Sequence, residues 1–238
     1  MASRDQQLND VMGSFLVPVH RDGWKFVAIA LAAALVLFQL WSPLGWLGLI
    51  AAGAIALFFR DPPRVTPISE SLVIAPADGL VSSLKLATPP LELGLGPEER
   101  LRVSIFLSVL DVHINRAPIS GTIARTSHIP GIFVNAANAD ASEVNERRAT
   151  VIQTRAGAEI AVVQIAGLIA RRIVSIVSEG EVLATGQRIG LIRFGSRVDV
   201  YLPPGHHAQV ALGQYTIGGE TVLADLASHE PIREVRRG

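Results

Sequence analysis

Residues 190–203 read GLIRFGSRVDVYLP, and this stretch decides the interpretation of the fold. Short runs rich in Val, Ile and Leu, at residues 188–192 and 197–202, lie on either side of the step from Gly195 to Ser196. Apolar, β-branched runs of this length that are bounded by Gly and Pro are typical of β-strands. The stretch therefore predicts two strands with a Gly-Ser step between them.

The same pattern continues over most of the chain. Asp61-Pro62-Pro63 breaks any helix, and from there to residue 238 short apolar stretches alternate with Gly and Pro turns. Helical periodicity is weak and is best at residues 169–177. We predict a mainly β, β-rich α+β fold in which residues 61–238 form a single β-sandwich or barrel-like domain. Its further strands are expected at residues 72–74, 79–86, 102–107, 121–127, 150–154, 159–165 and 209–212.

The N-terminal part of the chain contains two long apolar runs. Residues 26–40 and 44–59 are apolar runs separated by Trp41-Ser42-Pro43, and each is at or just below the ~18 to 20 residues needed to cross a bilayer. We predict that residues 1–60 anchor the protein in a membrane through a hydrophobic helical hairpin. A buried hairpin of a soluble core is a weaker alternative because neither run has a polar face. A cleaved signal peptide is weaker still, because a second run follows the first.

Positive charge flanks the two runs, and the turn between them has none. Under the positive-inside rule this pattern places both ends of the hairpin in the cytoplasm. We therefore expect a protein of the cytoplasmic (inner) membrane with its β domain on the cytoplasmic side. The flanking cations are His20, Arg21, Lys25, Arg60 and Arg64.

Composition excludes several function classes. The formal net charge is zero, so no basic field attracts nucleic acid. The chain has no cysteine, which excludes disulfides, thiolate zinc sites, iron-sulfur clusters and a cysteine nucleophile. Of the 21 Lys and Arg residues only Lys25 and Lys85 are lysine, and this preference for arginine suits an anionic ligand.

The Gly-Ser step has a chemical use beyond turning the chain. Gly195 offers a carbonyl with little steric cover, and the Ser196 hydroxyl can attack it. An N-to-O acyl shift followed by elimination would split the chain and leave a pyruvoyl group at residue 196. Most Gly-Ser steps are structural, so the wider sequence has to decide.

Four segments, in order, resemble the phosphatidylserine decarboxylase proenzymes, in particular their short, archaeal-type branch. Residues 186–199 (GQRIGLIRFGSRVD) are similar to the processing site of that family, and residues 75–79 (APADG) to its acidic motif. Residues 111–118 (DVHINRAP) resemble its histidine motif, and residues 141–147 (ASEVNER) its Asn-Glu-Arg motif. The resemblance covers roughly residues 60–220 and extends to the apolar hairpin.

This resemblance implies an activity. The chain would cleave itself between Gly195 and Ser196 into a β chain, 1–195, and an α chain, 196–238, with Ser196 becoming a covalent pyruvoyl cofactor. The enzyme would decarboxylate phosphatidylserine in the membrane to phosphatidylethanolamine and carbon dioxide, through a Schiff base to the substrate amine. We expect no metal and no nucleic-acid partner. The two chains would form a heterodimer, which dimerises further in this family.

The resemblance also implies roles for individual residues. A carboxylate, a histidine and the processing serine act like a serine-hydrolase triad in the family, and by motif position these are Asp78, His113 and Ser196. The carboxylate is expected to be ionised and hydrogen-bonded to the ring. The long branch of the family has a second histidine three positions after the first, where this chain has Arg116. Either His113 alone, or His113 with another histidine such as His128, is then left for proton transfer.

Substrate binding is assigned to polar residues of the same motifs. A diacyl lipid stays in the bilayer, because extraction would expose methylenes at about 0.8 kcal/mol each, so the active site is expected against the headgroup layer. Arginine suits the lipid phosphate. The candidates are Arg116, Asn145, Glu146 and Arg147.

Other functions remain open at this point. Residues 180–190 have the strand-turn-strand spacing of biotinyl and lipoyl modules, but neither Lys25 nor Lys85 lies in such a hairpin. A membrane-anchored hydrolase could use an uncleaved Ser196. A pyruvoyl decarboxylase of a soluble amino acid would have little use for the two apolar runs.

Overall fold

The computed structural model describes residues 17–131, 145–167, 172–193 and 195–228. The chain divides between Pro63 and Arg64 into two compact units. The first unit is helical and the second consists mainly of β-strands.

The first unit is a helical hairpin of α1 (Arg21–Leu40) and α2 (Ser42–Phe58). Trp41 alone connects the two helices, and Pro43 occupies the first turn of α2, where its missing N–H is harmless. Small residues let the helices approach closely: a Cβ built on Gly48 would lie 2.8 Å from the Cβ of Ala34. Close packing of small residues is typical of helix pairs in membranes.

The outer surface of this hairpin is apolar. Helix α1 is long and apolar enough to cross a membrane, whereas α2 is a shorter apolar helix. A core helix of a soluble protein would bury such side chains, yet Ile29 and Leu35 are each 66% exposed. This apolar N-terminal helix suggests membrane association and favours it over a buried hairpin.

The second unit is built almost entirely of antiparallel strands. In the described residues the strands are β1 (Leu72–Ile74), β2 (Gly79–Ala87), β3 (Arg100–Leu107), β4 (Ile114–Arg116), β5 (Gly121–Ile129), β6 (Arg147–Gln153), β7 (Glu159–Ala166), β8 (Ile173–Ser175), β9 (Val182–Leu183), β10 (Arg188–Ile192), β11 (Ser196–Tyr201), β12 (Tyr215–Thr216) and β13 (Val222–Asp225). The largest sheet has eight strands in the order β12-β2-β3-β11-β7-β6-β5-β9, and two smaller sheets have the orders β4-β10-β8 and β1-β13. A short 3-10 helix covers Leu91–Leu93.

Strand β11 lies near the middle of the large sheet and has apolar side chains on both faces. Val198 and Val200 point into the main core, and Tyr201 points into a smaller cluster on the opposite face, together with Leu93. Alternate residues of a strand face opposite sides, so Ser196 shares the main-core face with Val198. The serine therefore points into the protein interior.

The predicted mainly β class is confirmed, and two local expectations are wrong. Residues 173–175 are strand β8 rather than helix, while residues 169–171 of the same prediction lie outside the described part. Gly190 on β10 lets β8 pair closely with it, because a Cβ at residue 190 would lie 2.2 Å from the carbonyl oxygen of Val174. Residues 209–212 are not a strand: Val210 is buried, but Gln209 donates a single main-chain bond to Leu223 and no ladder follows.

Candidate active site

Ser196 is the first residue of β11 and is 0% exposed. Its Cα partners are Leu107 on β3 and Ala166 on β7. Among the described residues its Oγ atom has no hydrogen-bond partner. Leaving a buried hydroxyl unpaired costs about 1–3 kcal/mol, so the fold keeps a polar group where an apolar one would be more stable. Such exceptions concentrate at functional sites.

Gly195 precedes the serine in a left-handed conformation, with φ of +56°. Other residues adopt this region only at an energetic penalty. No described atom lies within 4 Å of a Cβ built at this position. Glycine is therefore favoured at this position by the backbone conformation and not by lack of space.

His113 is buried and reaches this step from a neighbouring segment. Its Nδ1 atom lies 2.9 Å from the carbonyl oxygen of Asp111, and its Nε2 atom lies 3.2 Å from the amide nitrogen of Gly195. A carbonyl only accepts and an amide N–H only donates. Nδ1 therefore carries the hydrogen, and Nε2 presents its lone pair to the Gly-Ser step. This is the tautomer that a base acting on Ser196 requires.

The carboxylate of Asp111 shapes the turn that precedes His113. It accepts hydrogen bonds from the amide of Ser108 at 2.7 Å and from the hydroxyl of Tyr215 at 2.7 Å. The Asp111 amide in turn donates to the Ser108 carbonyl at 3.0 Å. This closed turn fixes the Asp111 carbonyl, which holds the His113 ring.

Asp78 lies in the acidic turn before β2 and is engaged elsewhere. Its carboxylate forms an ion pair with Arg64 (2.9 and 2.7 Å) and accepts from the Gly218 amide at 2.7 Å. Burial raises the pKa of Asp78, and the charge of Arg64 opposes that shift. Within the described residues the predicted hydrogen bond from this carboxylate to the His113 ring is not formed, because Arg64 and Gly218 occupy its oxygens.

The Asn-Glu part of the Asn-Glu-Arg motif supports the strand beside Ser196. The side chain of Asn145 is buried and donates to the Ala166 carbonyl at 2.7 Å, while the Ala166 amide donates to the Glu146 carbonyl at 2.9 Å. Ala166 is the cross-strand partner of Ser196. Glu146 extends to His128, with 3.3 Å between its Oε1 atom and the ring Nε2. Asn145 thus fixes the backbone on which the serine is aligned.

The two arginines among the candidates are held by other groups. Arg147 donates to Glu92 at 2.8 and 2.6 Å and lines a cavity of about 490 Å³ together with Arg102 and Tyr201. Tyr201 belongs to the apolar cluster on the face opposite Ser196. Arg116 is buried and donates to the Gly186 carbonyl at 3.0 Å. Of the four substrate-binding candidates, Asn145 through its side chain and Glu146 through its main chain are bonded to Ala166, the cross-strand partner of Ser196.

Sequence reasoning missed Asn115 and Gln164. The Nε2 atom of Gln164 donates to Oδ1 of Asn115 at 2.7 Å, and both residues are buried. Signals for both existed. Asn115 lies two positions after His113 in the histidine motif, and Gln164 is a single polar residue within the apolar run of β7.

Comparisons with known proteins give a consistent result. The family model described as "Phosphatidylserine decarboxylase" matches residues 52–224. The chain is 54% identical over 224 residues to the phosphatidylserine decarboxylase proenzyme of Cereibacter sphaeroides, covering 94% of this chain and 97% of that protein. It is 56% identical over 216 residues to the phosphatidylserine decarboxylase proenzyme of Xanthobacter autotrophicus, covering 91% of this chain and 92% of that protein.

Proposed function

Because the chain belongs to the phosphatidylserine decarboxylase family, we propose that it converts phosphatidylserine to phosphatidylethanolamine and carbon dioxide with a pyruvoyl group made from Ser196. The observation that carries this proposal is the position of the Ser196 hydroxyl. It is buried without a described partner, directly after the residue whose amide contacts Nε2 of His113.

The residues at this step fit the formation of such a group. In the first stage the Ser196 Oγ atom attacks the Gly195 carbonyl carbon, and its proton passes to Nε2 of His113. The peptide C–N bond then breaks, the Ser196 nitrogen takes up a proton, and an ester joins the two residues. Gly195, which carries no side chain to cover its carbonyl, and the His113 tautomer with a lone pair on Nε2 both support this stage.

The second stage divides the chain. Removal of the Ser196 Cα proton breaks the Cβ–Oγ bond, which leaves a carboxylate at Gly195 and a dehydroalanine at residue 196. Water then adds and ammonia leaves, so residue 196 becomes a pyruvoyl group at the start of the α chain. No external oxidant or metal ion enters this balance.

A pyruvoyl group supplies a ketone that condenses with a primary amine and accepts the electron pair released as carbon dioxide leaves. In the proposal His113 donates the proton that replaces the carboxyl group on the substrate carbon. The same buried ring thus serves both self-cleavage and decarboxylation. Its burial together with Ser196 keeps competing water away from the reacting atoms.

The role of Asp78 stays a prediction. To orient the ring of His113, its carboxylate would have to leave Arg64 and Gly218. The 2.9 Å contact between Nδ1 of His113 and the Asp111 carbonyl supports different roles for the two aspartates. In this alternative, the Asp111 carbonyl orients the ring, and the Asp78 carboxylate binds its own turn to the segments of Arg64 and Gly218.

We further propose that the enzyme is anchored in the cytoplasmic membrane by the α1–α2 hairpin, with its β unit on the cytoplasmic side. The apolar surface of α1 and the positive residues flanking the two runs support this placement. Among the arginines, Arg116 and Arg147 remain proposed contacts for the lipid phosphate. The anchor keeps the enzyme at the surface where its substrate resides.

The two cleaved chains are proposed to remain together as a heterodimer, which dimerises further. Strand β11 would open the α chain, and it is paired over its whole length with β3 and with β7 of the β chain. These two ladders support a stable complex after cleavage.

Intact mass of the purified protein tests the proposed function. Cleavage gives fragments 1–195 and 196–238, the second with a blocked, pyruvoyl start, and Ser196→Ala stays full-length and inactive. A single full-length species that decarboxylates phosphatidylserine would overturn the proposal. A full-length species that instead hydrolyses esters through Ser196 would establish the hydrolase alternative.

A further inference from the structure

Two of the buried side-chain atoms that lack a hydrogen-bond partner in the described part of the protein belong to the segments that meet at the Gly-Ser step. One is Oγ of Ser196 and the other is Nδ2 of Asn115, and both residues are 0% exposed. The hydroxyl has a use in the proposed self-cleavage, whereas nothing so far explains the amide. A buried N–H donor without an acceptor is rare in native structures.

The backbone places Asn115 on the same side of its segment as His113. β4 pairs with β10, and the main-chain bonding continues back to His113, whose carbonyl accepts from the Ile192 amide at 3.2 Å. Residues two apart in an extended segment project to the same side. The His113 ring reaches Gly195, and the Asn115 side chain reaches Gln164.

Gln164 connects Asn115 to the strand that begins with Ser196. Its Cα partner on β11 is Val198, and Ala166, two residues further along β7, is paired with Ser196. Gln164 therefore shares a sheet face with Ser196 and is its diagonal neighbour, within the reach of a long side chain. His113 and Asn115 thus approach the start of β11 from one segment, the first at Gly195 and the second through Gln164.

Gln164 also sets the orientation of the Asn115 amide. Its Nε2 atom donates to Oδ1 of Asn115 at 2.7 Å, so the Asn115 oxygen is occupied and its NH₂ group is directed elsewhere. A donor held in this way and kept free of a partner is preorganised for an oxygen that becomes negative during a reaction.

We propose that Asn115 stabilises the oxyanion of self-cleavage and that Gln164 is its positioning residue. When Oγ of Ser196 adds to the Gly195 carbonyl carbon, the C=O electron pair moves to the Gly195 oxygen, and Nδ2 of Asn115 donates a hydrogen bond to it. This inference rests on the proposed function. It adds a residue that acts on the precursor before any pyruvoyl group exists.

The test measures cleavage of freshly synthesised full-length chain over time by intact mass, without measuring decarboxylation. Removal of one oxyanion donor slows a reaction by roughly 10²–10³-fold, and we expect this for both Asn115→Ala and Asn115→Asp. Gln164→Glu should slow cleavage less, because Asn115 keeps its donor but loses its orientation. Arg155→Ala is the matched control, since that exposed side chain pairs only with exposed Glu70 among the described contacts, and it should cleave at the wild-type rate.

A pH series separates donation from a merely structural role. The carboxyl of Asn115→Asp has the shape of the amide and regains a donor when protonated, so its cleavage should recover as the pH falls, whereas Asn115→Ala should follow the wild-type profile. If the alanine variant does not fold, as judged by circular dichroism, the aspartate variant carries the test. If the wild-type protein cleaves itself and the folded Asn115 variants cleave just as fast, this inference alone is overturned. Absence of cleavage in the wild-type protein would overturn the proposed function itself.

Discussion

The main-chain amide of Gly195 donates its hydrogen bond to Nε2 of His113 at 3.2 Å, so the lone pair of this ring is engaged one residue before Ser196. The Ser196 hydroxyl follows directly and has no described partner of its own. In the proposed reaction, Nε2 of His113 would have to exchange the Gly195 amide for the Ser196 hydroxyl. The described structure therefore corresponds to the arrangement before that exchange.

In the proposed mechanism His113 is the base, so its removal should arrest self-cleavage. We expect His113→Ala to slow the appearance of fragment 196–238 by at least about 10²-fold, the lower end of what general-base catalysis contributes. Intact mass against time after synthesis measures this. His128→Ala, which removes a half-exposed ring bonded to Glu146, provides the comparison. Equal slowing in both variants would contradict the assignment to His113.

The effect of Asp78 on stability can be separated from its effect on self-cleavage. Asp78→Asn leaves Arg64 without its carboxylate and should lower the free energy of unfolding by about 1.5–3 kcal/mol. Cleavage should slow far less than in His113→Ala, because the Asp111 carbonyl still holds the ring. Thermal melts and cleavage rates together decide this. Unchanged stability with loss of cleavage as severe as in His113→Ala would show that Asp78 acts on the ring.

Tyr201 gives a prediction at alkaline pH. Burial raises the pKa of Tyr201 above its ordinary value of 10.0. Between that value and the raised pKa the unfolded chain loses the proton and the folded chain keeps it, so the free energy of unfolding falls as the pH rises. Tyr201→Phe removes this contribution. Its stability relative to wild type, measured by denaturant titration, should therefore improve as the pH rises above 10, and a constant difference would contradict the prediction.

Two glycines of the hairpin form a matched pair. A Cβ on Gly48 would lie 2.8 Å from the Cβ of Ala34 and 2.9 Å from its Cα, while a Cβ on Gly53 has no described neighbour within 4 Å. Gly48→Ala should weaken the packing of α1 on α2. Gly53→Ala should stabilise the helix by roughly 0.5–1 kcal/mol, because glycine has more backbone freedom to lose. Thermal unfolding in detergent, followed by helical ellipticity, compares them, and equal effects would refute the described helix contact.

Membrane anchoring is tested by flotation with phosphatidylserine-containing vesicles. The full chain should float with the vesicles and should stay bound at high salt, because its attachment is apolar. A chain that begins at residue 61 should remain at the bottom of the gradient. Binding that salt abolishes would indicate attachment by surface charge and would contradict the hairpin anchor.

Sequence patterns predicted the strands that carry strong apolar runs. Residues 72–74 and 188–192 coincide with β1 and β10, and the family assignment is confirmed by the comparisons. Placement in the archaeal-type branch stays a prediction. Apart from β1, the strands of two to four residues, such as β9, β12 and β13, were not predicted. Their extended shape comes from pairing with distant segments, and so short a run has no periodicity to read.

The sequence identified the residues that are proposed to react but not the contacts that support them. His113 and Ser196 were identified, and the structure brings His113 to the step that Ser196 follows. The partner of the His113 ring was expected to be a carboxylate. It is instead a main-chain carbonyl, a group that every residue possesses and that no sequence motif identifies. The engagement of Asp78 by Arg64 depends in the same way on how distant turns meet.

The complete burial of position 196 has a kinetic consequence. An electrophile formed there is shielded from stray amines and hydroxide in bulk solution, which lengthens its lifetime. A lipid headgroup meets the same barrier, so neighbouring side chains must part before the amine arrives. We expect admission of the headgroup, more than bond making, to limit how often each enzyme molecule turns over.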